Sequence, residues 1–434
     1  MYRRFLIFAL AILSAVSLQA QTGCWTGRLK VSGTELTLIF DLDASTLEVP
    51  DQGAKNIPAE VSRTATGAIT IEISSINASY KGLWLGGAIT GTFTQHGVSF
   101  PLLLSPGRPV INRPQTPVGP FPYTTEAVTF TNGNAILSGT LTLPPDCTRA
   151  TPALVMVTGS GLQNRDEEIF NHKPFAVIAD AFARAGIATL RYDDRGFGES
   201  TGDVINCTTE DLMRDALAGV NLLKERFERV GVLGHSEGGS IALMLAEDLQ
   251  TDFAISLAGM VISGAKTLLE QNRRDLLQAG VSESEVNAYC SLLEKAFVAA
   301  AASEPLPTGE DEAIPPALQQ NYTAVRQQLG QPYLRYFVGL DVSKRLADIT
   351  CPVLAFSGTK DTQVACSENL SALRSGIPAN PATAIRPMEG LNHLFQHCTT
   401  GDVAEYREIE ETFSQEVISE MVSWIKNLYI SGLF

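Results

Sequence analysis

Two patterns of apolar and polar positions divide the chain. From about residue 24 to 105 the apolar residues come in short, partly alternating runs: Arg28–Val31, Glu35–Asp41, Ala68–Ile73, Leu83–Leu85 and Gly91–Thr94. Alternation of this kind puts one face of a strand in a core and the other in water. Glycine, Asn and the Asp51-Gln52-Gly53 turn separate the runs, and no helix-period segment outweighs them. The pattern predicts a small all-β domain over 21–105, a sandwich or barrel-like module.

From Tyr123 onward the runs lengthen and change character. Ala127–Phe130 and Ile136–Leu143 read as a strand pair. Ala153–Val157 is continuously apolar, as a strand covered on both faces must be. Strands at Ile187–Tyr192 and Val230–Gly234 then alternate with helical patterns at Pro174–Ala185, Thr209–Phe227 and Gly238–Leu249. Such alternation predicts a mainly parallel sheet with helices on both faces. It breaks after Ile262. Residues of about 265–337 are rich in helix formers, with Pro305-Leu306-Pro307 and Pro315-Pro316 marking loops, and read as an inserted helical cap. Strands resume at Pro352–Ser357 and Ile385–Met388, and Phe413–Leu428 closes the chain as a helix. Between the two patterns, 106–122 holds six prolines. Proline fixes φ and lacks an N–H, so this stretch is expected to be an extended linker. The catalytic-type domain is expected over 123–434.

Composition changes the picture only in part. The chain has 434 residues, 44% of them apolar and 18% charged, enough for two or three well-buried cores. Its formal net charge of -15 disfavours nucleic acid and anionic lipid as partners. Arg3 and Arg4 followed by the apolar stretch Phe5–Val16 read as an export leader at 1–20, cleaved after Ala20. The stretch falls short of the ~20 residues of a membrane span. A periplasmic or extracellular location is expected, with no membrane span in the mature chain. The seven cysteines show no CxxC spacing, so neither a zinc site nor a redox pair is indicated.

The chemistry concentrates at Gly234-His235-Ser236-Glu237-Gly238-Gly239. This G-x-S-x-G segment follows a strand and opens a helix, the context in which a tight turn lifts a serine hydroxyl above a sheet edge. Ser236 is the predicted nucleophile. A serine hydroxyl needs a general base, and on such sheets the order along the chain is Ser, acid, His. Of the five histidines, at 96, 172, 235, 393 and 397, only the last two follow in that order. His393, just past the final strand, is the predicted base, with His397 as the alternative. Asp361, on the loop after Pro352–Ser357, is the predicted acid; it would hold the histidine tautomer. His235 is read as a packing or turn residue.

An oxyanion needs backbone donors. The residue after the nucleophile, Glu237, supplies one, and the loop Thr158-Gly159-Ser160-Gly161 supplies the other. Ser160 N–H is the choice, Gly161 the alternative. The charged segments Gln163–Glu167 and Asp193–Ser200 are read as loop-ordering. Asp193 and Asp194 have no companion His or Glu cluster, so no metal or other cofactor is expected. Cys366 and Cys398 each lie five residues beyond Asp361 and His393. A disulfide there would brace both loops, and chance accounts for the spacing equally well.

Taken together, Thr158–Gly161, Asp194-Arg195-Gly196-Phe197-Gly198, the Ser236 segment, Asp361 and Gly390-Leu391-Asn392-His393-Leu394-Phe395 resemble secreted bacterial α/β-hydrolases. The group is that of esterases related to dienelactone hydrolases and prolyl-oligopeptidase-like enzymes. The resemblance covers roughly 125–430. Some members carry an N-terminal β-domain, and Pro50–Lys55 is similar to theirs. Thr158 stands where many relatives have His; the donor there is backbone, so catalysis need not suffer. The resemblance implies an α/β-hydrolase fold and hydrolysis of carboxylic esters, often with short acyl groups. The expected partner is a small-molecule ester, acylated sugars included. A serine peptidase or amidase with the same residues, and a non-catalytic binding protein on this scaffold, are the alternatives.

Overall fold

The structure, a computed structural model, describes residues 22–31, 34–50, 54–64, 66–95, 97–109, 112–309 and 314–431. The expected leader, the Asp51–Gly53 turn and His96 lie outside these residues. The chain divides into two compact units, Met1–Asn112 and Arg113–Phe434.

The first unit is all-β. Its strands are β1 (Cys24–Val31), β2 (Thr34–Asp41), β3 (Thr46–Val49), β4 (Ala54–Pro58), β5 (Glu60–Arg63), β6 (Ala68–Ile73), β7 (Ala78–Leu85), β8 (Ala88–Gln95) and β9 (Val98–Pro106). They pair in the order β4-β3-β2-β1-β9-β8-β7-β6-β5, all antiparallel. Both halves of this sheet feed one core containing Trp25, Leu38, Phe40, Ile71, Tyr80 and Leu104. Phe40 of β2 meets Tyr80 of β7 with ring centroids 5.7 Å apart, so the sheet closes over itself. The buried Tyr80 hydroxyl has the Ile89 and Leu102 carbonyls within reach of its single hydrogen, which meets its need for a partner.

The second unit is built on a mixed sheet with helices between its strands. β10 (Thr124–Asn132) and β11 (Ala135–Leu143) form a hairpin. β12 (Ala153–Val157), β13 (Ala188–Tyr192), β14 (Val230–His235), β15 (Ala254–Leu257), β16 (Val353–Gly358) and β17 (Ala384–Met388) follow. The sheet order is β10-β11-β13-β12-β14-β15-β16-β17, parallel from β13 to β17. Along β12, Val155 and Val157 enter one core with Val220, Leu223 and Ile241, while Leu154 and Met156 enter another with Phe175, Phe182 and Ile425. Period two on a strand buried on both faces thus explains its unbroken apolar run.

Between β15 and β16 the cap contributes helices Gly264–Gln278, Glu283–Ala301, Pro316–Leu329 and Pro332–Gly339. Ser282 and Glu285 form a capping box at the second, and proline opens the last two. The cap has its own core of Tyr289, Leu293, Phe297, Tyr322 and Leu329. Among the described residues no helix is long and apolar enough to cross a membrane.

The proline-rich stretch differs from a free linker in its second half. Arg113 donates to the carbonyls of Phe170, Arg407 and Ile409, and Gln115 Nε2 donates to that of Phe413. Two side chains among the prolines thus fasten residues from 113 onward to the second unit.

Nearby, His172 is fully buried, its ring nitrogens against the Thr412 hydroxyl at 3.0 Å and the Tyr406 carbonyl at 2.8 Å. Burial pushes its pKa from 6.5 down to about 4. As pH falls from 6.5, the unfolded chain takes up this proton first. The neutral ring therefore contributes stability above 6.5 that is lost as pH falls towards 4. Its loss amounts to ~3 kcal/mol. Replacing His172 by Gln is expected to flatten the fall of Tm across that window; an unchanged pH dependence would contradict this.

Candidate active site

Ser236 stands between β14 and the helix Glu237–Glu247 with φ 55° and ψ −120°, backbone that a serine adopts only under strain. The turn is this tight because its flanks lack side chains. A Cβ on Gly234 would lie 1.8 Å from the Gly238 carbonyl oxygen, and one on Gly238 would lie 2.1 Å from that of Val157. Ser236 N–H donates to the Leu257 carbonyl at 2.8 Å, and its own carbonyl receives Gly239 N–H at 2.9 Å. The side chain is thus carried by backbone bonds on both sides.

Asp361 and His393 come to each other from the loops after β16 and β17. His393 Nδ1 lies 2.7 Å from Asp361 Oδ2, with both side chains buried. Asp361 Oδ1 receives the N–H groups of Gln363 and Val364, each at 2.8 Å, so the carboxylate cannot rotate freely. The histidine loop is held by Asn392, whose Oδ1 accepts from Leu394 N–H and Gln396 N–H. With Nδ1 engaged, Nε2 is the nitrogen left to exchange a proton.

The loop after β12 reaches the elbow because β12 pairs with β14 in the register Val157↔Gly234. A Cβ on Gly159 would lie 3.1 Å from Ser236 Cβ, so this loop runs directly against Ser236. Gly159 N–H is committed to Glu167 Oε1 at 2.7 Å. The next N–H, on Ser160, and that of Glu237 at the first position of its helix are the available donors. The Glu237 side chain is buried; Thr209 Oγ1 donates to it at 2.7 Å and Tyr333 OH, from the cap, at 2.5 Å. Burial raises its pKa against those donors. Replacing Tyr333 by Phe leaves this buried carboxyl short of one donor. The expected cost is about 1–3 kcal/mol of stability, read by urea unfolding; no loss would show that water substitutes for the hydroxyl.

The charged loop segments are tied inward. Arg165 pairs with Asp193 at 2.7 Å and with Glu199 at 2.7 Å, and Arg195 pairs with Asp215 at 2.6 Å. Asp194 receives Thr158 Oγ1 and Gln163 N–H, both at 2.8 Å, and burial lifts its pKa to about 8. His397 is exposed and pairs with Glu411, away from Asp361. All seven cysteines are free, so the Cys366–Cys398 brace is corrected: Cys366 Sγ faces the Ser357 carbonyl and Cys398 Sγ that of Gly390. Among the described residues no group of three His, Cys, Asp or Glu side chains could hold a metal ion.

His235 is more than a turn residue. Its Nδ1 lies 3.0 Å from Glu167 Oε1 and its Nε2 lies 2.8 Å from the His393 carbonyl. The two residues are distant in sequence, and nothing local announces their pairing.

This geometry can supply a nucleophile, a base oriented by an acid, and two backbone donors, the parts needed for acyl transfer. Residues 172–395 match the serine aminopeptidase (S33) family of hydrolases. The esterase EstD of Thermotoga maritima is 30% identical over 266 residues, covering 59% of this chain and 58% of EstD. The chain thus spans less than two thirds of that relative. Similar solved structures include the Pyrococcus furiosus esterase PF2001, at 16% identity and a TM-score of 0.45, covering 74% of this chain and 99% of that one. Another is the proline iminopeptidase of Mycobacterium smegmatis, at 17% identity and a TM-score of 0.44, covering 71% of this chain and 100% of that one.

Proposed function

We propose that this chain, which belongs to the serine aminopeptidase (S33) family of α/β-hydrolases, is a serine carboxylic ester hydrolase working through an acyl-enzyme. The observation that carries the reading is the buried 2.7 Å contact of His393 Nδ1 with Asp361 Oδ2, on loops beside the strained Ser236 elbow. In this reading Ser236 Oγ attacks the ester carbonyl while His393 Nε2 takes its proton. The oxyanion accepts from Ser160 N–H and Glu237 N–H, donors worth roughly 3–4 kcal/mol each where measured in a comparable hydrolase. Collapse expels the alcohol, protonated by His393. Water, deprotonated by the same nitrogen, then releases the acid. No step calls for a metal or organic cofactor.

Ester rather than amide cleavage is favoured by the state of the nearby carboxylates. An aminopeptidase substrate brings an ammonium group that needs a free anionic partner. Glu237, Glu167 and Asp194 are each already engaged by donors of the chain itself. The esterase named among the relatives points the same way. The proposal also keeps the enzyme outside the cytoplasm, on the strength of the expected leader. Turnover of p-nitrophenyl acyl esters is to be compared with that of aminoacyl and dipeptidyl amides. Ester turnover well above amide turnover is expected; efficient amide cleavage with negligible ester cleavage would give the peptidase reading instead.

A further inference from the structure

Glu167 and His235 are buried, meet beneath the candidate site, and have no part in the steps above. We propose that they form a strut that holds the oxyanion loop and the base loop at a fixed separation across Ser236, and so act as positioning residues. The inference rests on the hydrolytic reading of Ser236 and His393.

A carbonyl oxygen only accepts, so His235 Nε2 carries a hydrogen and donates to the His393 carbonyl at 2.8 Å. Its other nitrogen faces Glu167 Oε1 at 3.0 Å. That same oxygen already receives Gly159 N–H at 2.7 Å, which suits a carboxylate better than a protonated acid. The shared proton therefore sits on Nδ1, and the pair is imidazolium with carboxylate. Burial opposes the charge on His235, but the neighbouring Glu167 outweighs it and raises the histidine's pKa.

One charge-assisted chain thus links three segments. Gly159 immediately precedes the donor Ser160. His235 immediately precedes Ser236. The His393 carbonyl belongs to the base itself. His235 and His393 also pack ring to ring, with centroids 4.7 Å apart. Gly159 has no slack against Ser236, as the 3.1 Å approach of an added Cβ shows. Loosening the strut therefore moves the donor and the base relative to the nucleophile, and misplacement by about 1 Å can cost on the order of 10²-fold in rate.

Three variants separate this role from plain packing. His235→Gln loses the bond to Glu167 but places an amide N–H where Nε2 stood and keeps the bond to His393. His235→Asn reaches only as far as Nδ1 and loses it. Glu167→Gln keeps an acceptor for Gly159 but removes the charge. For each, kcat and KM on a p-nitrophenyl ester and the rate of labelling by a fluorophosphonate probe are measured, with circular dichroism and Tm to establish folding. His235→Asn and Glu167→Gln are expected to lose on the order of 10²-fold in kcat with KM little changed. Labelling rate should fall in parallel, and His235→Gln, which breaks the chain at Glu167, should lose a comparable factor. A folded His235→Asn or His235→Gln protein with wild-type kcat and labelling rate overturns the proposal. Should His235→Asn not fold, Glu167→Gln decides on the same readouts. Labelling reports the serine whatever the substrate, so an enzyme that cleaves only amides sinks the ester reading while the strut is still tested. A wild-type chain that takes no probe overturns both.

Discussion

Replacing Ser236 by alanine is expected to lower ester turnover by about 10⁵-fold or more, with the fold intact. The substitution removes only the hydroxyl. The elbow is held by Ser236 N–H to the Leu257 carbonyl and by Gly239 N–H to the Ser236 carbonyl, neither of which involves the side chain. Alanine meets the same backbone strain at φ 55° as serine does. What disappears is the atom that forms the acyl-enzyme in the proposed mechanism. Steady-state turnover, with Tm as the control for folding, measures it. Residual activity above the uncatalysed rate would then come from the Ser160 and Glu237 donors and from binding alone. A variant with more than a few per cent of wild-type activity would mean the nucleophile lies elsewhere.

Replacing Asp361 by asparagine is expected to cost on the order of 10⁴-fold in kcat, again with little change in fold. The direction follows from which oxygen is already occupied. Oδ1 receives the Gln363 and Val364 N–H groups, so an asparagine keeps its carbonyl oxygen there. Its amide nitrogen then faces His393 Nδ1 at the place where Oδ2 stood, 2.7 Å away. An N–H donor at that point makes Nδ1 an acceptor and puts the ring hydrogen on Nε2. A base that already carries its proton cannot take one from Ser236. The loss should show as a fall in kcat on a good substrate, because binding groups are untouched. Nearly unchanged kcat would mean that another acid orients the histidine.

The parts of this site that can be read from sequence are those set by local rules. Ser236 lies within one strand–turn–helix, and Gly234 and Gly238 mark the turn because no Cβ fits there. Asp361 and His393 each follow an apolar run that forms a strand, so chain order and loop position suffice to single them out. The pairing of Glu167 with His235 has no such signal: the two meet through a contact spanning 68 residues, and each reads alone as an ordinary polar residue. Tyr333 is equally silent, because its role exists only once the cap helix Pro332–Gly339 lies against Glu237.

The fold shows the same division. A buried parallel strand such as β12 announces itself by an unbroken apolar run. The four-residue β15 is wholly buried too, but the polar Ser256 interrupts its apolar run. In the first unit, β4 and β5 lie at the sheet's edges, and the exposed, polar Glu60–Arg63 lacks the alternation a half-buried strand shows. Arg113 and Gln115 anchor through backbone carbonyls, acceptors that every residue offers and no pattern marks. Of the two readings of the cysteine spacing, chance is the one that fits, since equal offsets from Asp361 and His393 do not bring Cys366 and Cys398 together.

In the proposed mechanism one serine, at position 236, forms the covalent intermediate. Reaction with a fluorophosphonate probe, followed by peptide mapping with tandem mass spectrometry, tests it most directly. A single phosphonyl adduct on Ser236 is expected, formed by the wild type and absent from Ser236→Ala. An adduct on any other residue, or a folded protein that takes up no probe, would contradict it.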